Sequence, residues 1–243
     1  RDVDAWTLLQ RAERLRKNGR AAASRDTAAA LLALRQADSL AAAAADRDPN
    51  WVAPVVLRGW VAYDQTDSSF DKRQRVAQIR AGLDRAEQAV RLAPGDAAAL
   101  ELRGVLRYRL WRQNVNPDPA QQALLLNGAQ ADFEAATAAD PSRALAFARL
   151  SSLYYQRKDR FSAVMAARRA YEADAYLSNA DGILYQLFWT HYDLEQFTDA
   201  TRWCTEGARR FPANTRFVEC RLWLLVSPSA TPDVQGAWGL SRQ

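Results

Sequence analysis

Alanine, glycine and other small or apolar residues recur in steps of four and three along five segments of the chain, with charged residues between them. Four of these segments close on a proline: 37–49, 82–94, 129–141 and 200–212. A small residue stands twelve positions before each proline (Ala37, Gly82, Ala129, Ala200), and another stands five before it (Ala44, Ala89, Ala136, Gly207). Between them fall Ala41, Ala86, Phe133 and Cys204. A fifth segment keeps Ala163, Ala167 and Ala170 but has Ala175 in the proline's place. Steps of four and three share one stripe of a helix, so the pattern predicts a helix that another helix approaches closely. Proline then forbids continuation and sets the turn.

A second phrase lies between these segments. "LRGWVAY" at 57–63 returns as "LRGVLRY" at 102–108, with Gly59 and Gly104 each ten residues past a proline. Ser151 is ten past Pro141, and Tyr63, Tyr108 and Tyr155 each follow the small residue by four. Glycine inside a helix costs about 1 kcal/mol against alanine, so it marks tight contact with a neighbour. The pattern predicts twelve helices: 3–18, 25–46, 51–64, 70–92, 97–112, 119–138, 143–157, 160–173, 179–193, 197–210, 214–226 and a last piece near 232–241. Asp118 and Pro119 read as a helix cap followed by a first-turn proline.

The alternation of a small residue and an aromatic in one helix with Ala-x3-(Phe/Ala)-x2-Ala-x4-Pro in the next resembles the tetratricopeptide repeat, TPR. "SLYYQRKDRFSAVMAARRAYEADA" and "FWTHYDLEQFTDATRWCTEGARRFP" look nearest to its usual unit of about 34 residues. The resemblance implies an all-α fold, a right-handed superhelix or solenoid of about six helix hairpins forming a single domain over 1–243. Repeats over 1–141 are lengthened, those over 142–226 are near standard, and 227–243 is a capping or truncated end. The prolines are 45, 47 and then 71 residues apart, the last across two units, so the early units carry about ten extra residues each. Arg58 and Arg103 also fall where the family usually has a buried leucine.

Composition agrees with helices and narrows the function. The chain has 243 residues, is 49% hydrophobic and 25% charged, and holds only 10 Gly and 9 Pro. Its net charge of +5 comes from 33 basic and 28 acidic residues interleaved along the chain, whereas a nucleic-acid binder concentrates basic residues on one face. Nucleic acid is therefore not an expected partner. No uncharged apolar run approaches the roughly 18–20 residues that span a bilayer. Because the sequence opens on Arg1, the expectation is an N terminus processed or cut from a longer protein.

Chemistry is sparse. There is no phosphate loop, GxGxxG, HExxH or CxxC motif, and acidic residues form no evident acid–base pair. His191, the single histidine, lies among aromatics in "FWTHYDL", where a packed role is the expectation. We expect no enzyme, no cofactor and no metal. Cys204 lies eight residues before Pro212 and Cys220 eight after it, so the two thiols meet if that proline turns one helix back along another. A disulfide and two reduced core cysteines are the open alternatives, and a disulfide would point to an exported, oxidising setting.

The family's first helices line its concave surface, and this implies a groove bearing Trp60, Tyr63, Tyr108, Tyr155, Tyr185, Trp189, Tyr192 and Trp223. Such rings combine large contact area with a hydrogen-bonding tip, and they equally well fill cores. The lysines and asparagines by which one TPR subtype grips a C-terminal carboxylate are missing at Trp60, Tyr63, Tyr108, Ser152 and Tyr155. The expected function is a scaffold binding a protein or peptide partner with apolar side chains. "DPNWVAPVVLRGWVAY" is also similar to repeat regions that follow kinase domains in bacterial serine/threonine kinases. A regulatory domain of such a protein, or an accessory subunit of a larger, membrane-associated complex, are the alternative readings. The compartment stays open between cytoplasm and periplasm.

Overall fold

The computed structural model describes residues 2–68, 71–114, 118–174, 180–228 and 233–242. Among them the secondary structure is helical, without strands: α1 Val3–Ala22, α2 Thr27–Arg47, α3 Val52–Gln65, α4 Lys72–Leu92, α5 Ala97–Arg112 and α6 Pro119–Ala139. Next come α7 Ala144–Gln156, α8 Arg160–Ala173, α9 Ala180–Asp193, α10 Phe197–Arg210, α11 Arg216–Leu225 and α12 Val234–Ser241. A short 3-10 turn, Thr66–Ser68, follows α3. These are the twelve expected helices. The first runs four residues further than predicted, because Ala21 and Ala22 are good helix formers and the break waits for Asp26. The starts predicted at 70, 179 and 232 lie outside the described residues.

Local chemistry explains the boundaries. Asp26, Asp71, Asp118 and Asp159 cap α2, α4, α6 and α8 by accepting backbone N–H bonds, with Pro119 in the first turn of α6 as the sequence predicts. At the other ends, the prolines occupy tight turns. The Trp51 amide donates to the Asp48 carbonyl across Pro49 at 3.0 Å, and Asp96 to Ala93 and Asn214 to Phe211 repeat the arrangement at 3.0 Å.

The chain divides into two compact units, Arg1–Asp140 and Pro141–Gln243. In the first unit, α1 packs on α2, α3 on α4 and α5 on α6, and each hairpin meets its sequence neighbour. In the second, α7 packs on α8, α9 on α10 and α11 on α12 in the same serial manner. The boundary coincides with the change in repeat length. In the first unit the second helix of each pair has 21 residues, against 14 for α8 and α10. The extra residues are thus two added turns of helix plus a few in the connection.

Every residue of the small-residue stripe is buried: Ala37, Ala41 and Ala44 in α2, Gly82, Ala86 and Ala89 in α4, and Ala129, Phe133 and Ala136 in α6. Ala163, Ala167 and Ala170 in α8 and Ala200, Cys204 and Gly207 in α10 continue it in the second unit. The repeated phrase supplies the opposing surface. A Cβ on Gly59 would lie 3.4 Å from the Gly82 carbonyl oxygen and 2.5 Å from Leu102, so the two helix backbones meet there. At the third copy, the Ser151 hydroxyl donates to the Ala163 carbonyl at 2.9 Å, so the polar substitute is satisfied.

The register implied by the family shifts by one in the lengthened repeats. Leu57 and Leu102 are the buried leucines, and the neighbouring arginines turn toward carboxylates on adjacent helices. Arg58 pairs with Asp38 at 2.8 Å. Arg103 and Arg107 both pair with Asp132, at 2.5 and 2.8 Å, and Asp132 is 3% exposed. The guanidinium forks keep their charges partly solvated while their stems cover apolar surface.

Candidate functional site

Four of the eight predicted aromatic residues come together in the second unit. Along α9, Tyr185, Trp189 and Tyr192 fall at steps of four and three, which places them on one side of the helix. Ring centroids of Tyr185 and Trp189 lie 6.0 Å apart, and those of Trp189 and Tyr192 lie 5.7 Å apart. Trp223 of α11 joins them, 5.5 Å from Trp189 and 6.2 Å from Tyr192. These contacts are edge-to-face, the arrangement that the ring quadrupoles favour. Phe188 backs the group from the core and is fully buried.

The hydroxyls of this cluster are held. Tyr185 donates to Glu219 Oε2 at 2.7 Å, and Tyr192 donates to the Trp223 carbonyl at 3.3 Å. Burial raises the Tyr185 pKa above its ordinary value, and the Glu219 carboxylate adds to the rise. Tyr185, Trp189 and Tyr192 are half-buried, whereas Trp223 is 43% exposed. The result is a rigid apolar wall with one ring standing out into solvent.

Next to this wall, Gly182 and Gln186 of α9 line a polar pocket of about 270 Å³ with Arg149, Ser151 and Ser152 of α7 and Arg216. A Cβ on Gly182 would meet nothing within 4 Å, so the glycine keeps the pocket open. Arg216 stands 3.7 Å from Asp181 and over the Tyr185 ring at 5.6 Å.

The other predicted residues are placed differently. Tyr155, half-buried on α7, donates to Asp193 at 2.9 Å and is covered by the Arg160 guanidinium 3.9 Å above its ring. Its pKa is raised, mainly by burial and then by Asp193. In the first unit, Trp60 and Tyr63 of α3 meet edge-to-face at 5.6 Å, with Arg16 over the first ring and Arg109 over the second, both at 5.2 Å. Tyr108 is buried and stacks on Trp111 at 5.5 Å, so it offers a partner the least surface of the eight.

Three features escaped the sequence reading. The arginines over Trp60, Tyr63 and Tyr155 come from other helices and carry no local signal. Phe188, by contrast, stands four residues before Tyr192, and helical arithmetic finds it. Asp64, buried beside Trp60's helix neighbours, pairs with Arg16 at 2.6 Å; burial raises its pKa, and the Arg16 charge opposes the rise.

Cys204 and Cys220 form a disulfide with their Cα atoms 6.0 Å apart, tying α10 to α11. His191 is buried, with Nδ1 2.7 Å from Gln196 Oε1 and Nε2 3.5 Å from Arg168. Burial lowers its pKa below the ordinary value, which fits the packed role expected of it. Among the described residues no group of His, Cys, Asp and Glu is placed to hold a metal ion, and no helix is long and apolar enough to cross a membrane.

The class this architecture defines is a TPR solenoid, and solved structures bear that out. No protein-family model matches the chain, and no curated protein matches it. Pseudomonas aeruginosa pilF superposes with a TM-score of 0.64 at 13% identity, over 97% of this chain and 89% of its own. TTC0263, a thermophilic TPR protein of Thermus thermophilus, gives 0.57 at 13% identity, over 89% of this chain and 98% of its own. The Cut9–Hcn1 hetero-tetramer of the APC/C gives 0.58 at 11% identity, over 96% of this chain and 46% of that one. The chain has the TPR fold.

Proposed function

We propose that the chain is a non-catalytic scaffold that binds an extended or helical segment of a partner protein against the aromatic face of α9 and α11. The observation that carries this is Trp223, 43% exposed at the end of a chain of mutually contacting rings. The Tyr185 and Tyr192 hydroxyls have their partners already, so the exposed ring edges offer apolar contact without unmet polar groups. Rings locked by their neighbours lose little freedom when a ligand arrives, which is the property of a binding hot spot.

Trp60 and Tyr63 supply a separate patch of the same kind in the first unit. Both are pinned beneath arginines, so a ligand there would meet charge as well as ring. A scaffold of this sort serves equally as a regulatory domain of a longer bacterial signalling kinase or as an accessory subunit of a membrane-associated complex. Either would use these faces. The Cys204–Cys220 bridge supports an oxidising, periplasmic setting over a reducing one.

The test is selection of short peptides from a random library on the purified chain, followed by anisotropy titration of the winners. Trp223→Ala and Trp189→Ala are expected to weaken binding by about 30-fold each, the loss typical of a hot-spot aromatic. Unchanged affinity in both would show that these rings serve only packing and would end the proposal.

A further inference from the structure

The aromatic face does not use the first hairpin, whose outer flank has a different chemistry. Between α1 and α2 runs an open groove of about 610 Å³, lined by Arg11, Arg14 and Leu15 from α1 and by Arg35, Ser39 and Leu40 from α2. Its rim is open to solvent, since Arg11, Arg14, Arg35 and Ser39 are exposed. Its floor reaches the core: Leu15 packs against Leu34, Ala37 and Val61, and Leu40 against the cluster that holds Leu9, Trp51 and Leu57.

Its charge is not compensated from within the first unit, where Arg16, Arg58, Arg103, Arg107 and Arg109 pair with carboxylates. Arg11, Arg14 and Arg35 are exposed, and among the described residues none of their guanidiniums makes a hydrogen bond or ion pair. Three like charges around one groove repel one another unless an anion sits between them. The floor is apolar, since Leu15 and Leu40 are half-buried beneath the arginine rim.

We propose that this groove is a second docking surface, for an acidic amphipathic segment of a partner protein. Its carboxylates would take the three guanidiniums, whose forks suit carboxylate oxygens, and its apolar side chains would lie on Leu15 and Leu40. Charge complementarity selects the sign of the occupant, and the recessed floor selects its kind. A bilayer is bound by apolar side chains that protrude, whereas the two leucines lie below the charged rim. Nucleic acid would be met by aromatic platforms, and none lines the groove.

The experiment uses the whole chain and a fluorescein-labelled peptide of alternating glutamates and leucines at helical spacing, with a lysine-for-glutamate peptide as control. Binding of the acidic peptide is expected, falling steeply between about 0.05 and 0.5 M salt as the Debye length shrinks. Reversing the charges together (Arg11→Glu, Arg14→Glu, Arg35→Glu) is expected to weaken it at least tenfold, while Trp223→Ala leaves it unchanged. All three sites are exposed, and circular dichroism confirms that the variant folds. Equal binding by wild type and triple variant overturns the proposal. So does a preference for phosphatidylglycerol vesicles over the peptide that the same triple variant abolishes, which would assign the groove to lipid headgroups.

Discussion

The two units solve the same packing problem with different residues. In the first, long second helices approach glycine and alanine backbones closely, and arginine–aspartate pairs such as Arg103–Asp132 lock neighbouring helices. In the second, the helices are shorter, and bulk comes from rings and from a covalent bridge. Phe188, Phe217 and Trp203 lie in its core cluster, whereas the cluster around α3, α4 and α5 in the first unit is built of buried Ala, Val, Leu and Ile. Two extra turns per helix add buried contact along the hairpins of the first unit, whereas α10, with 14 residues, carries Trp203 and the crosslink to α11.

The bridge is the place to break the comparison most forcefully. The Cys204–Cys220 bond spans 16 residues, and closing a loop of that length contributes about 3 kcal/mol. Cys220→Ser, or reduction of the wild type, is expected to lower stability by about that amount. Hydrogen exchange should rise across α10 and α11 and stay unchanged in α3–α6. Uniform loosening of both units would show that the bridge is no special support for the shorter repeats.

The matching test in the first unit is Asp132→Asn. The carboxylate is 3% exposed and faces two guanidiniums that are 21% and 24% exposed. Removing one member of a fully buried pair costs about 3–5 kcal/mol, and the partial solvation of the arginines reduces the expectation to about 2 kcal/mol. Chemical denaturation monitors it. A loss under about 0.5 kcal/mol would mean that burial of the small-residue stripe alone holds α5 to α6.

These contrasts mark how far the sequence is legible. Helix positions and the small-residue stripe can be read directly, because spacing of four and three fixes which side chains share a face regardless of what lies opposite. The nearness of the two cysteines follows from the same arithmetic, since Pro212 sets the turn that brings them level, but spacing leaves a disulfide and two reduced thiols open; the structure joins them. What does not follow is anything that depends on a partner helix. Arg58 and Arg103 look misplaced until Asp38 and Asp132 appear beside them. Tyr108 is spaced like Tyr63 yet is buried, because helical period gives direction but not the depth of the neighbour. The arginines under or over the rings are invisible for the same reason.

Smaller effects sharpen the comparison within the second unit. A Cβ on Gly207 would overlap the ring of Phe217, which is buried and has nowhere to move. Alanine there gains about 1 kcal/mol of helix propensity but forces overpacking of about 1–3 kcal/mol, so Gly207→Ala is expected to destabilise by about 1 kcal/mol. Gly182→Ala meets open space and should stabilise by up to about 1 kcal/mol. Thermal unfolding of the pair distinguishes them. The same sign for both would mean that the Phe217 ring can swing away and that the short repeats are packed less tightly than the rings imply.

The smallest expected effect separates the units by the sign of their response to acid. Burial holds the His191 pKa below its ordinary value near 6.5, so the folded second unit binds a proton less readily than the unfolded chain does. Its contribution is therefore complete above about pH 6.5 and is lost as pH falls from there toward the folded value, with a slope of at most about 1.4 kcal/mol per pH unit. Asp64 in the first unit behaves oppositely. Burial raises its pKa, so its contribution is present at low pH and is lost as pH rises through the raised value. Lowering pH from about 7.5 to about 5 should reduce hydrogen-exchange protection, corrected for the intrinsic pH dependence of exchange, in α9 and α10 but not in α3, and His191→Gln should remove the change in α9 and α10. Acid-insensitive protection in the wild-type α9 would show that Gln196 and Asp199 stabilise the protonated ring enough to offset its burial, and that the two units share one response.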